Sequence, residues 1–268
     1  MMLSIRTRQM LVIFGYLIFC LGIKLANAGE VKIAVASNFL QPMKNIAKLY
    51  EQETGYQVKV SSGSTGKLYA QISHGAPYDI FFAANTREPL KLVEKGLAVE
   101  DSRFTYAIGQ VVIWSKALQC ETTADLKKLF DEKAVKTIAL ANPKTAPYGF
   151  AAKEIMSNLN ISMKGIRVIK GENINQAWQY TQTGNVDVGF IAASQWEAGS
   201  TRARRGLAFK PSQHLYTEIE QQAVILTSSR NSTIAQDFVD FIQSDDIRNT
   251  IAGFGYTHAN IAMLRKMM

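Results

Sequence analysis

The chain has 268 residues, 47% apolar and 19% charged, with 30 Lys+Arg against 22 Asp+Glu. That balance can fill a core and excludes a wholly disordered chain, while 6 prolines and 18 glycines without a period exclude a collagen-like or low-complexity one. Two cysteines and three histidines are too few for a disulfide framework, a four-cysteine metal site or a histidine-rich centre.

Residues 1–28 read as a secretory signal peptide. Arg6 and Arg8 form a positive start, residues 10–23 an apolar run, and Ala26-Asn27-Ala28 a small-x-small cleavage site, so cleavage is expected after Ala28. The run is short against the roughly 20 apolar residues of a membrane span, and Lys24 interrupts its end. Bulky Phe19 ahead of Cys20 argues against lipoprotein processing. Export removes three cations and no acid, leaving 27 Lys+Arg against 22 Asp+Glu, a net charge of +5. So mild a surplus does not call for nucleic acid. Arg202, Arg204 and Arg205 form the densest basic cluster; a solvated loop is the ordinary reading, a partner patch the alternative. Cys120 is then the lone thiol, expected to be buried rather than reactive.

From the first mature residue, strands and helices alternate. Residues 31–36 predict a strand and 40–53 a helix, with Met43, Ile46, Ala47 and Tyr50 on one face and Gly55 as its stop. A strand at 57–61 leads through the Gly63-Ser64-Thr65-Gly66 turn to a helix at 67–74. Next come a buried strand at 79–84, a helix at 88–95 and a strand at 109–115. The pattern continues with helix 124–130, strand 137–142, helix 149–159, strand 165–169, helix 174–181 and strand 186–192. A strand at 222–226 and helices at 235–242 and 247–252 complete it. Such alternation predicts an α/β fold with mostly parallel sheets flanked by helices. In those sheets ligands sit beyond the carboxyl ends of the strands.

Small polar residues gather at these strand-to-helix junctions. Ser37 and Asn38 follow the first strand, and Ser64, Thr65 and Gly66 the second. Thr145 to Gly149 precede the helix at 149, and Glu172, Asn173 and Ile174 open the one at 174. Taken singly, Ser, Thr and Asn at helix starts are ordinary caps, and Tyr148 is a packed aromatic. Taken together, the free N–H groups, the helix-dipole ends and the side-chain donors of Ser37, Asn38 and Thr65 suit a small anion.

Three stretches make the reading specific: VKIAVASN at 31–38, GSTGKLYAQI at 63–72 and HGAPYDIFFA at 74–83. ALANP at 139–143, APYG at 146–149 and GNVDVG at 184–189 support them. In order and over nearly the whole mature chain, they resemble the periplasmic molybdate-binding proteins of ABC importers, the ModA family. The resemblance implies a two-lobed type II periplasmic-binding-protein fold: lobe I at 29–108 plus 226–268, lobe II at 109–225, and hinge strands near 106–111 and 222–225. It implies capture of molybdate, and of tungstate, between the lobes, with no cofactor and no catalysis. Carried over residue by residue, the oxyanion ligands are Ser37, Asn38 and Thr65 from lobe I, and Tyr148 and Ile174 from lobe II. Ser64 is a neighbouring, weaker candidate. Some members place a tyrosine after the strand at 186–191; Ala192 stands here, so the chain is similar to the branch whose tyrosine lies in the APYG junction. The implied partners are an inner-membrane permease and its cytoplasmic ATPase, and the implied state is a periplasmic monomer.

Other classes fit less well. A serine hydrolase needs a nucleophile elbow, which is missing, and His74, His214 and His258 are expected at the surface. Gly66-Lys67 lacks the upstream glycine of a phosphate loop and is followed by Leu68 rather than Ser or Thr. Sulfate or phosphate is the nearest alternative ligand. Ferric iron wants clustered Tyr, His or carboxylates, and Tyr148 has no partner tyrosine at the junctions.

Overall fold

A computed structural model describes residues 29–200 and 205–257 of the chain. The expected signal peptide, with Cys20, lies outside the described residues, as do Arg202, Arg204 and His258. The strands are β1 (Glu30–Ala36), β2 (Gln57–Gly63), β3 (Ile80–Phe82), β4 (Phe104–Gly109), β5 (Val111–Ser115), β6 (Thr137–Ala141), β7 (Arg167–Gly171), β8 (Val188–Ala192), β9 (Leu207–Phe209) and β10 (Ile219–Ile225). The helices are α1 (Leu40–Thr54), α2 (Thr65–Ser73), α3 (Arg87–Glu94), α4 (Thr123–Asp131), α5 (Pro147–Asn158), α6 (Ile174–Gln182), α7 (Ala193–Ala198), α8 (Ser232–Ile242) and α9 (Asp245–Gly253).

Two five-stranded sheets form two lobes, one in the order β2-β1-β3-β10-β4 and the other β7-β6-β8-β5-β9. Each has a parallel trio, β2-β1-β3 and β7-β6-β8, extended by antiparallel strands. The extensions are where the chain changes lobe: β4 passes through Gln110 into β5, and the return at 216–218 leads into β10. The sheets are therefore mixed.

One expected boundary moves. Residues 219–225 pair with β3 and β4 in the first sheet, not with the second. The return hinge thus precedes Ile219 and is not at 222–225, and the second lobe's sheet ends well before residue 225. β10 is buried at every position but Glu220, which suits a strand with neighbours on both sides, β3 and β4.

Burial explains the strands. β3 and β8 are buried at every position and show no alternation, as expected of strands with helices on both faces. In β1, Val31, Ile33 and Val35 join a core with Phe39, Met43, Ile46, Tyr50 and Phe238, while Ala34 faces Leu68, Ile72 and Leu92. The second lobe packs Leu126, Ile138, Leu140, Ile155 and Phe190 together. On its other face Trp114 stacks on Trp178 at 4.8 Å. Because each trio is parallel, β1, β2 and β3 end at one rim and β6, β7 and β8 at another. All the polar junctions lie on these two rims.

Candidate functional site

The two rims meet at a small cavity. Its eleven lining residues are Ala36, Ser37, Asn38, Gly63, Ser64, Thr65, Ala84, Ala146, Pro147, Tyr148 and Ile174. All five residues singled out from the sequence are among them, three from the first lobe and two from the second. None of the eleven carries a charge. The side chains of Ser37, Asn38, Thr65, Tyr148 and Ile174 are all buried.

Each donor is set by its element. Ser37 and Asn38 occupy a short 3-10 turn between β1 and α1. Thr65 is the first residue of α2; its Oγ1 accepts from the Ala84 N–H at 3.0 Å, which ties the end of β3 to the cavity and leaves the hydroxyl proton to donate. Tyr148 follows Pro147 at the start of α5, where proline suits the first turn. Gly149 is required beside it, because a Cβ there would run into the carbonyl of Ala141 at the end of β6. At α6 the Asn173 side chain accepts from the N–H groups of Asn175 and Gln176 at 3.0 and 3.2 Å. That cap does not take the Ile174 N–H, which lies at the positive end of the helix dipole.

Behind the cavity runs a buried polar network that sequence reasoning missed. Gln221 of β10 is fully buried. Its Oε1 accepts from Asn38 Nδ2 at 2.7 Å and lies 3.0 Å from Tyr106 Oη, and its Nε2 donates to Tyr148 Oη at 3.4 Å. Asn38 Nδ2 also donates to Tyr256 Oη at 2.9 Å, and Tyr256 Oη donates to the Asn38 carbonyl at 3.0 Å. Both amide hydrogens of Asn38 are therefore committed inside the first lobe, which leaves its backbone to face the cavity. The polar run Glu220-Gln221-Gln222 inside a strand was the one available signal for this network. Asn38 lies 183 residues from Gln221 and 218 from Tyr256 in sequence, beyond any local pattern.

The phenols stay neutral. Burial pushes Tyr148 well above the usual tyrosine range, with Tyr256, Tyr216 and Tyr106 adding to it. Burial also raises Tyr106 and Tyr256. Because Tyr148 Oη accepts from Gln221, its own proton can donate towards the cavity.

The lobes touch around the cavity. The Gly66 N–H donates to the Thr145 carbonyl at 2.9 Å, Ser194 Oγ donates to the Asn38 carbonyl at 2.8 Å, and Lys67 Nζ pairs with Glu172 Oε2 at 2.7 Å. Elsewhere, His74 and His214 are exposed, as expected, and their rings hydrogen-bond near neighbours, the Ala70 carbonyl and the Ser212 hydroxyl. Cys120 is buried as expected, and burial, with Asp125 nearby, pushes its thiol up to about 11. Arg205 is exposed. Among the described residues no group of three or more His, Cys, Asp or Glu could hold a metal ion.

Comparison with known proteins places this architecture. Residues 31–257 match the family model of bacterial extracellular solute-binding proteins. The molybdate-binding protein ModA of Azotobacter vinelandii is 40% identical over 86% of this chain and 91% of its own length. The ModA of Rhodobacter capsulatus is 38% identical over 86% and 89%. The solved structure of the Azotobacter vinelandii periplasmic molybdate-binding protein superposes with a TM-score of 0.79 at 34% identity, covering 85% of this chain and 99% of that one. By these relationships the chain belongs to the ModA family of bacterial extracellular solute-binding proteins.

Proposed function

We propose that this protein captures molybdate between its lobes in the periplasm and presents it to an ABC importer. One observation carries the reading: a cavity at the junction of two lobes, walled by neutral donors and free of charged side chains. Hydroxyls, N–H groups and helix N-termini hold a dianion by directed positive potential without a fixed counter-charge. Without such donors, burying the ion would cost several kcal/mol. Ser37, Thr65 and Tyr148 are the proposed side-chain ligands, and Asn38 and Ile174 contribute through their backbones. Tungstate, with the same charge and shape, is expected to bind as well.

The donor set also weighs against the rivals. Phosphate carries a proton at neutral pH and needs an acceptor, yet no carboxylate lines the cavity. Ferric iron needs anionic ligands, and the single lining tyrosine is held in its neutral form. Sulfate matches in charge, so its rejection rests on cavity size. Binding of this kind makes and breaks no covalent bond, which fits a carrier rather than an enzyme. Permease and ATPase are the partners such a carrier requires, and a monomer presents both lobes to them.

Isothermal titration of residues 29–268 with molybdate, tungstate, sulfate and phosphate tests the reading. Binding of the first two with no heat from sulfate supports it. Binding of sulfate or phosphate alone moves the ligand, and no heat from any of the four removes the oxyanion reading.

A further inference from the structure

We infer that Ser64 is an additional ligand of the captured oxyanion, donating through its side-chain hydroxyl; this rests on the oxyanion reading above. Ser64 precedes α2 at the position where a serine hydroxyl ordinarily accepts an N–H of its own helix. Here it makes no such bond. The residue is only 3% exposed, and its Oγ is buried with no hydrogen-bond partner. Three other buried side-chain oxygens among the described residues share that condition, on Ser73, Glu88 and Thr145, but only Ser64 lines the cavity.

An unpaired buried hydroxyl is costly, so its persistence calls for an occupant that satisfies it. A hydroxyl can donate as well as accept, so an oxyanion in the cavity can take its proton. One N–H that could have paired with the hydroxyl is engaged elsewhere: the Gly66 N–H crosses to the Thr145 carbonyl at 2.9 Å. The neighbouring hydroxyl of Thr65 accepts from the Ala84 N–H, which leaves its proton to give. The cavity end of α2 thus offers two neighbouring hydroxyl protons, which suits a deprotonated oxyanion. Ser64 also supplies what Asn38 cannot, since both hydrogens of that amide are spent on Gln221 and Tyr256.

The test is molybdate titration of the mature protein and its Ser64→Ala variant, with thermal unfolding of each without ligand. A hydrogen bond to a charged group predicts affinity at least about tenfold weaker in the variant. Unfolding of the ligand-free variant should be unchanged or shifted upward, because the hydroxyl removed had no partner in the fold. Ser64→Gly, which a helix N-cap accepts, gives the same comparison if the alanine variant aggregates. Undiminished affinity in either variant overturns the assignment while leaving the oxyanion reading intact. A clear fall in ligand-free stability assigns the hydroxyl to the fold and also overturns it. No molybdate binding by the unmodified protein removes the underlying reading and this one with it.

Discussion

Tyr148, on the first turn of α5, sits so close to Gly109 at the end of β4 that a Cβ on Gly109 would collide with the phenol oxygen and with the Gln221 amide. A helix of one lobe thus rests on the strand through which the chain leaves the other. This couples the position of a proposed ligand to the crossing itself. Gly109→Ala should displace Tyr148 and weaken molybdate binding by an order of magnitude or more, with the cores of both lobes intact. Titration calorimetry beside circular dichroism checks it. Native-like affinity with unaltered spectra would show that the phenol does not need that seat.

Thr65 has two jobs that substitution can separate. Its oxygen accepts from Ala84, and its proton is free for the ligand. Thr65→Ser keeps both and should bind within a few-fold of the native protein. Thr65→Ala loses both, and about 1–3 kcal/mol of binding should go with the bond to a charged acceptor. Equal affinities for the two variants would remove Thr65 from the ligand set.

Alkaline pH should act on the buried phenols. Tyr106, Tyr148 and Tyr256 all have raised folded-state pKa values, caused chiefly by burial. A group whose folded pKa exceeds its unfolded value of 10.0 favours folding fully below that pH. Its contribution is lost as the pH rises through the folded value. Stability should therefore show no phenol-linked loss up to about pH 10 and fall above it. Ultraviolet difference spectra should show these three phenols ionising together with unfolding. Their ionisation at pH 10 in a folded chain would contradict the buried network.

What could be read from the sequence divides along physical lines. Helix α1 followed from Met43, Ile46, Ala47 and Tyr50, because amphipathic spacing is a local property. All five ligand candidates line one cavity, because the ends of parallel strands share a rim within each lobe and the two rims meet there. The resemblance to a known family selected those five from a larger set of capping residues. Strand β9 and helix α7, of three and six residues, are too short for periodicity to reveal. β4 was expected only as part of a hinge. The hydrogen bonds of the Asn38 side chain could not be read for a different reason: its partners, Gln221 and Tyr256, reach it only after the chain has crossed to the second lobe and returned. No window of sequence contains that contact.

The ion pair between Lys67 and Glu172 joins the second residue past Thr65 on α2 to the junction before α6, so it forms only where the lobes touch. Its side chains are 48% and 63% exposed, and such pairs contribute about 0.2–1 kcal/mol. That contribution falls on the closed state alone. Glu172→Gln should therefore speed molybdate release by up to about fivefold at low ionic strength. Near 1 M salt, where screening reaches about 3 Å, the difference should vanish. Lys67→Gln should give the same change, and the double variant no more than either single one, because each removes the same interaction. Glu30→Gln breaks a pair with Lys32 inside the first lobe and should leave the release rate alone. Stopped-flow release measurements on the four variants across a salt series make the test. Additive effects of the two cross-lobe changes, or an equal effect of Glu30→Gln, would show that the pair does not hold the lobes together.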